Sequence, residues 1–101
     1  MINNAYGIRK IAIKRTFQCL CTLGKDWYTA KLLIEFIPGD NIPDYCEVDK
    51  WIAENINGHE MIIEEAVASI YDYIMDTYDP ALLTVEADVE DAIHSAVTVT
   101  K

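Results

Sequence analysis

The chain has 101 residues, 51% of them apolar, which is enough for one domain with a hydrophobic core. Its net charge of −9 is uneven: the first 31 residues hold six of the eight Lys and Arg but one acid. This balance disfavours a broad phosphate-binding surface. No apolar run approaches the roughly 20 residues of a membrane helix, and the first residues do not resemble a signal peptide, so we expect a cytoplasmic protein without a membrane partner.

Two alternating segments at the start of the chain predict an antiparallel β-hairpin. Apolar side chains occupy every second position in residues 8–21 and again in residues 28–37, as is typical of half-buried strands. Arg15 is the exception on the apolar face of the first strand. The turn-forming sequence Leu-Gly-Lys-Asp at 23–26 connects the two strands.

Two helices are predicted next. Asp44 is a candidate N-cap, with Glu47 as its capping-box partner three residues on, and the Asn-Gly pair at 57–58 ends this first helix. A second apolar stripe at helical spacing predicts a helix over about 60–77. The Asp-Pro pair at 79–80 stops it.

The last third of the chain alternates again, which predicts strands at 82–89 and 93–100 joined by a turn at 90–92. The whole chain is then a single α+β domain over 1–101: a four-stranded antiparallel sheet with two helices on one face. The second sheet face and the two edge strands would stay open in a monomer, so we expect a homo-oligomer in which several sheets close into a shared barrel.

Cysteines and an acid at the first turn are candidate catalytic groups. Cys21 ends the first strand, where a thiol is reactive if its pKa is lowered; the alternative is a small buried apolar residue. Cys19 lies deeper in the strand and has the same two interpretations. Asp26 is either a general acid or a turn-forming residue. Three cysteines at these spacings do not form a disulfide framework, which fits a reducing compartment.

Glu64 falls in the first turn of the second predicted helix. Its carboxylate either interacts with the helix dipole or accepts two hydrogen bonds from the amidine-like edge of a purine-like ring. Charge-assisted bonds of this kind contribute about 1.5–3 kcal/mol each, enough to orient a ligand. No His-x-His or Cys-x-x-Cys pair is present, so we expect no metal site.

The order of these elements resembles the tunnelling fold of purine- and pterin-handling enzymes. Within that group the chain most resembles the nitrile reductases that act on 7-cyano-7-deazaguanine and their short QueF-like amidinotransferase relatives. Three segments carry the resemblance, and they contain the family's catalytic cysteine, its base-holding glutamate and its Asp-Pro strand opening. These segments are 21–38, 63–67 and 79–85.

The resemblance implies that Glu64 holds a purine-like base and that Cys21 adds to the nitrile as a covalent thioimide. The ungapped alignment makes Cys21 the nucleophile but leaves Tyr28 at the position of the acid. The family's seven-residue spacing is instead met by Cys19 and Asp26. We favour Cys21 because a shift of strand register is costly, with Asp26 supplying a proton across the turn.

The chain also departs from the family. The histidine before the glutamate is Ile63, and the Arg-Gly-Gly segment that serves NADPH binding is replaced by residues 92–94. We therefore expect amidine formation with ammonia and no NADPH cofactor. The short relatives act on transfer RNA, a partner that the charge of −9 disfavours. The alternatives are a non-catalytic tunnelling-fold binding or assembly protein and a pterin or folate pathway enzyme.

Overall fold

The structure, a computed structural model, describes residues 2–90 and 95–101. The predicted turn at 91–92, the predicted start of the last strand at 93–94 and the 92–94 segment in the Arg-Gly-Gly position lie outside the described residues. In chain order the described elements are β1 (Ile2–Asn3), β2 (Ile11–Leu20), β3 (Trp27–Ile37), β4 (Asn41–Ile42), α1 (Tyr45–Asn55), α2 (Ile63–Tyr78), β5 (Leu82–Val89) and β6 (Val97–Thr100).

Four of these strands form the predicted antiparallel sheet, in the order β2-β3-β5-β6. Both helices lie between β3 and β5 in the chain and contribute buried residues to the same core as the sheet. The prediction of an α+β fold with a four-stranded sheet and two helices is therefore confirmed. Strands β1 and β4 form a separate two-stranded sheet. At two residues each, they are too short for an alternating pattern to predict.

The register of the sheet explains why one of its faces is apolar. Ile34 in the centre of β3 pairs with Ile13 of β2 and Val85 of β5, so apolar side chains meet across three strands. The helices cover this face with fully buried residues such as Ile52 and Ile70. Alternation in the strands and helical spacing in α1 and α2 thus supply the two halves of one core.

Arg15 interrupts the apolar face of β2 because it binds a residue of the neighbouring helix. Its Nη1 donates to the Asp49 Oδ1 of α1 at 2.6 Å and to the Asp49 carbonyl at 3.0 Å. Other cations of the basic segment also pair with acids of the same chain, including Lys25 with Glu60 at 3.1 Å.

The second face of the sheet is polar, as the alternation predicts. One row across all four strands consists of Thr16, Lys31, Asp88 and Thr98. The hydroxyl of Thr98 donates to Asp88 Oδ1 at 2.8 Å. Neither helix covers this row, because both contribute to the core on the other face.

Helix α2 begins at Ile63, later than the predicted start near residue 60. The preceding residues are held by the end of β2: the Leu20 amide donates to the His59 carbonyl at 3.0 Å, and the Met61 amide donates to the Leu20 carbonyl at 2.9 Å. This short parallel pairing places the first turn of α2 beside the end of β2. No helix among the described residues has the length and apolarity needed to span a bilayer.

Candidate functional site

A cleft of about 490 Å³ opens where β2 ends, β3 begins and α2 begins. Its volume lies within the usual range of small-molecule sites. Three of the four predicted site residues, Cys21, Asp26 and Glu64, line this cleft together. Most of the remaining wall is apolar, with Trp27 and Ile63 among its side chains. The cleft thus combines a thiol and two carboxylates with surfaces suited to a planar ring.

The loop between β2 and β3 is closed by its own backbone. The Cys21 amide donates to the Asp26 carbonyl at 2.9 Å, and the Lys25 amide donates to the Cys21 carbonyl at 2.8 Å. Lys25 adopts the left-handed conformation, with φ of 58°, that this tight return requires. These contacts keep the residues that carry the thiol and the carboxylate next to each other at the mouth of the cleft.

Gly24 leaves space for the Asp26 carboxylate. A Cβ atom at Gly24 would lie 3.3 Å from Asp26 Oδ2, closer than an ordinary van der Waals contact. A larger residue at position 24 would therefore push this carboxylate away from its present position. The sequence predicts Gly24 only as a turn residue.

Cys19 is fully buried and does not belong to the cleft lining. Its Sγ donates to the Ile56 carbonyl at 3.1 Å. Burial raises the pKa of the Cys19 thiol, and hydrogen bonding to Tyr28 only partly opposes this shift. Cys21, in contrast, is half-buried and lines the cleft. Of the two thiols, only that of Cys21 is open to a ligand in the cleft.

Tyr28 lies on the cleft wall with its hydroxyl directed inward. This hydroxyl donates to the Met61 carbonyl at 2.8 Å, in a buried setting. Burial, with a further contribution from Cys19, raises the pKa of Tyr28 far above its ordinary value of 10.0. The hydroxyl is therefore a permanent donor that ties β3 to the segment before α2, and its proton is already engaged.

Glu64 is the second residue of α2, in the first turn as predicted. No ion pair among the described residues engages Glu64 or Asp26. The Glu64 carboxylate is therefore not neutralised by a described Lys or Arg and is available to donors of a ligand. Glu65 is also exposed but does not line the cleft, which makes it a natural control for Glu64.

Exposed apolar side chains at the cleft mouth were missed from the sequence. Trp27 is 58% exposed and Leu23 is 83% exposed, and both line the cleft with Val97. Trp27 is the first residue of β3, one position before the buried Tyr28, so it falls on the polar face of the sheet, where a large apolar residue is unusual. That position is the signal by which Trp27 could have been found.

The described residues contain no group of three or more His, Cys, Asp or Glu side chains that could hold a metal ion. NADPH carries several phosphates, which proteins bind with cations or free helix N-termini. The described residues that line the cleft include no Lys or Arg. The described part of the cleft lining therefore offers no cation for the phosphates of this cofactor.

The fold places the chain in the class of two-layer α+β proteins with helices on one face of an antiparallel sheet. Among solved structures it is similar to "the archaeosine synthase QueF-Like in the apo form", with a TM-score of 0.85 and 18% identity over 94% of this chain and 93% of that one.

It is also similar to a putative dihydroneopterin aldolase (FolB) from Vibrio cholerae O1 biovar El Tor str. N16961, with a TM-score of 0.72 and 16% identity over 94% of this chain and 98% of that one. No family model and no curated protein matches the sequence. The chain has the tunnelling fold that its sequence predicts, and at these identities the likeness establishes the fold alone.

Proposed function

We propose that the chain is one tunnelling-fold domain that acts on the nitrile of 7-cyano-7-deazaguanine and converts it to an amidine through a covalent thioimide on Cys21. The observation that carries the proposal is the convergence of Cys21, Asp26 and Glu64 on one apolar-walled cleft. Its resemblance in fold to an archaeosine synthase of the QueF-like type supports the 7-deazaguanine class of substrate.

Glu64 holds the base in this proposal. A deazaguanine ring presents two N–H donors on one edge, and a carboxylate can accept both at once. Since Glu64 pairs with no cation in the part of the chain that the structure describes and lies in the first turn of α2, its oxygens can face such an edge. The apolar wall beside it then contacts the faces of the ring.

Cys21 is the nucleophile and Asp26 the proton carrier. The Cys21 sulfur bonds to the nitrile carbon, one π bond of the nitrile breaks, and the nitrile nitrogen gains the proton that the thiol loses. Asp26 relays that proton. Its backbone carbonyl accepts a hydrogen bond from the Cys21 amide, and its carboxylate lines the same cleft as the Cys21 thiol. The product is a thioimide that contains all atoms of both reactants.

Ammonia completes the reaction without a reductant. Its nitrogen bonds to the thioimide carbon, the carbon–sulfur bond breaks, and Cys21 leaves as a thiol with a proton from the attacking ammonia. The absence of cations from the described cleft lining favours this route over one that must bind a phosphorylated cofactor.

The test compares Glu64→Gln with Glu65→Gln. Wild-type protein incubated with 7-cyano-7-deazaguanine and ammonium should yield the amidine, detected by mass spectrometry as substrate plus one ammonia. Glu64→Gln should lose most base binding by calorimetry and most product, because an amide cannot accept two charge-assisted bonds. Glu65→Gln should retain both. Equal effects of the two substitutions would refute the role of Glu64.

A second candidate is a tunnelling-fold protein that binds a purine- or pterin-like ring without chemistry. Ile63 lines the cleft where the resembling family carries a histidine, so the cleft has one proton-transferring group fewer. This candidate predicts base binding with neither thioimide nor amidine. Dihydroneopterin, chosen because of the FolB-like neighbour, is the comparison ligand in the same calorimetry.

We also propose that the chain assembles with itself. The helices leave the polar sheet face uncovered, and among the described residues β6 and the part of β2 before Gln18 have no strand on their outer side. Light scattering coupled to size-exclusion chromatography should give a mass several times 11.5 kDa. A monomer at micromolar concentration would rule the assembly out.

A further inference from the structure

We infer that the cleft takes its 7-deazaguanine as an unphosphorylated base or nucleoside and rejects forms that carry a phosphate. This inference rests on the proposed function, because it concerns the same cleft and the same ring. It adds which forms of the ligand bind, and this follows from the charges around the cleft.

Among the described residues of the cleft lining, two carry a charge, and both are acids, Asp26 and Glu64. The cation nearest in sequence, Lys25, is paired with Glu60 at 3.1 Å. Glu90 follows the lining residue Val89 but lies in a separate pocket on the polar sheet face, where it pairs with Lys31 at 3.5 Å. A phosphate entering the mouth would therefore meet the two cleft carboxylates and one cation whose charge is already balanced.

No other cation of the chain compensates. All eight Lys and Arg lie at described positions, and six of them form ion pairs with acids. The other two are Arg9 and Lys14. Lys14 lies seven residues before Cys21, about 23 Å away along an extended strand, and Arg9 lies farther still. Both distances exceed the Debye length of about 8 Å at physiological salt.

The N-terminus of α2 does not offer an alternative phosphate site. A free helix N-terminus attracts anions through its amide groups and its dipole. Here the first turn carries Glu64 and Glu65, whose negative charges lie next to the positive end and repel a phosphate. A phosphate would have to approach both.

The uncharged part of a nucleobase, in contrast, finds suitable partners. Trp27 and Leu23 present exposed apolar surface at the cleft mouth, and the Glu64 carboxylate accepts ring N–H donors. The cleft can thus bind a neutral, planar heterocycle without contacting a backbone phosphate.

The experiment is calorimetry with three probes: 7-cyano-7-deazaguanine, its ribonucleoside and its nucleoside 5′-monophosphate. We expect the base and the nucleoside to bind with Kd values within about threefold of each other, and the monophosphate to bind at least about tenfold more weakly at low salt. The penalty should shrink at high salt, because screening weakens repulsion between exposed charges.

Two charge reversals on α2 separate electrostatic from steric rejection. Glu65→Lys places a cation beside the cleft without changing its lining and should reduce the monophosphate penalty several-fold. Asp76→Lys makes the same charge change about 16 Å farther along the helix, at about 1.5 Å per residue, and should leave the penalty unchanged.

The outcomes are distinguishable. Monophosphate binding as tight as that of the base, or a penalty insensitive to both salt and Glu65→Lys, would overturn this inference while leaving the proposed function in place. No binding of any probe and no covalent adduct would overturn the proposed function, and the inference with it.

Discussion

The hydroxyl of Tyr28 gives the most quantitative prediction about the architecture of the cleft. Tyr28→Phe removes one oxygen and with it the 2.8 Å hydrogen bond to the Met61 carbonyl, which is left without this donor in a buried site. Losing one partner of a buried hydrogen bond costs about 1–3 kcal/mol. For a domain of about 100 residues, each kcal/mol lowers Tm by about 4–8 °C. Because Met61 lies just before α2, the affinity of Glu64 for the base should also fall.

The assay is urea unfolding at fixed protein concentration, with Tyr6→Phe as the matched control. Tyr6 is 91% exposed, so loss of its hydroxyl should change the free energy of unfolding by less than about 0.5 kcal/mol. If Tyr28→Phe were as stable as wild type, or if the two substitutions had equal effects, the bond between Tyr28 and Met61 would not tie β3 to the start of α2 as described.

Three further predictions concern the cleft and the core beneath it. Burial raises the pKa of the Cys19 thiol, so the folded state keeps this proton above pH 9.0, the ordinary thiol pKa, while the unfolded state loses it. The stability that Cys19 contributes should be present below pH 9.0 and decline above it. In urea unfolding across this pH range, the free energy of unfolding of Cys19→Ala should decline less steeply than that of wild type. An identical decline would contradict the burial effect. Gly24→Ala should slow amidine formation with little change in Tm, because its new methyl group lies 3.3 Å from Asp26 Oδ2; unchanged kinetics would show that the Asp26 position is not critical. Arg15→Leu should cost about 1 kcal/mol or less, because its pair with Asp49 is at the surface; a loss of several kcal/mol in urea unfolding would mean that this pair holds α1 in place.

Much of the fold is predictable because period-2 and helical patterns extend over long segments. β3 alternates over its entire length, so its apolar face follows from the sequence, whereas its place between β2 and β5 does not, because alternation sets no strand order. The start of α2 does not follow, because residues 59–61 are helix-compatible but pair with Leu20 instead. That pairing is a contact between segments about 40 residues apart, which no local pattern contains.

The candidate site was partly predictable for the same reason. Glu64 is marked by its helix position, and Cys21 and Asp26 by their place around a turn, and all three line the cleft. The sequence favours Cys21 over Cys19 only on strand register, and the structure adds that Cys19 is fully buried while Cys21, just after β2, lines the cleft. Tyr28 lies on an apolar face, so its hydrogen bond to Met61 could not be predicted from the sequence.

The central claim is that Cys21 forms the covalent bond to the ligand. Intact-mass spectrometry after incubation with 7-cyano-7-deazaguanine tests it directly, using the three cysteines of the chain as their own controls. Wild type, Cys19→Ala and Cys46→Ala should each gain the mass of one base, because addition across a nitrile releases no atoms, and Cys21→Ala should gain none. An adduct that persists in Cys21→Ala, or that disappears only in Cys19→Ala, would contradict the claim, as would an unmodified wild-type protein that binds the base in calorimetry.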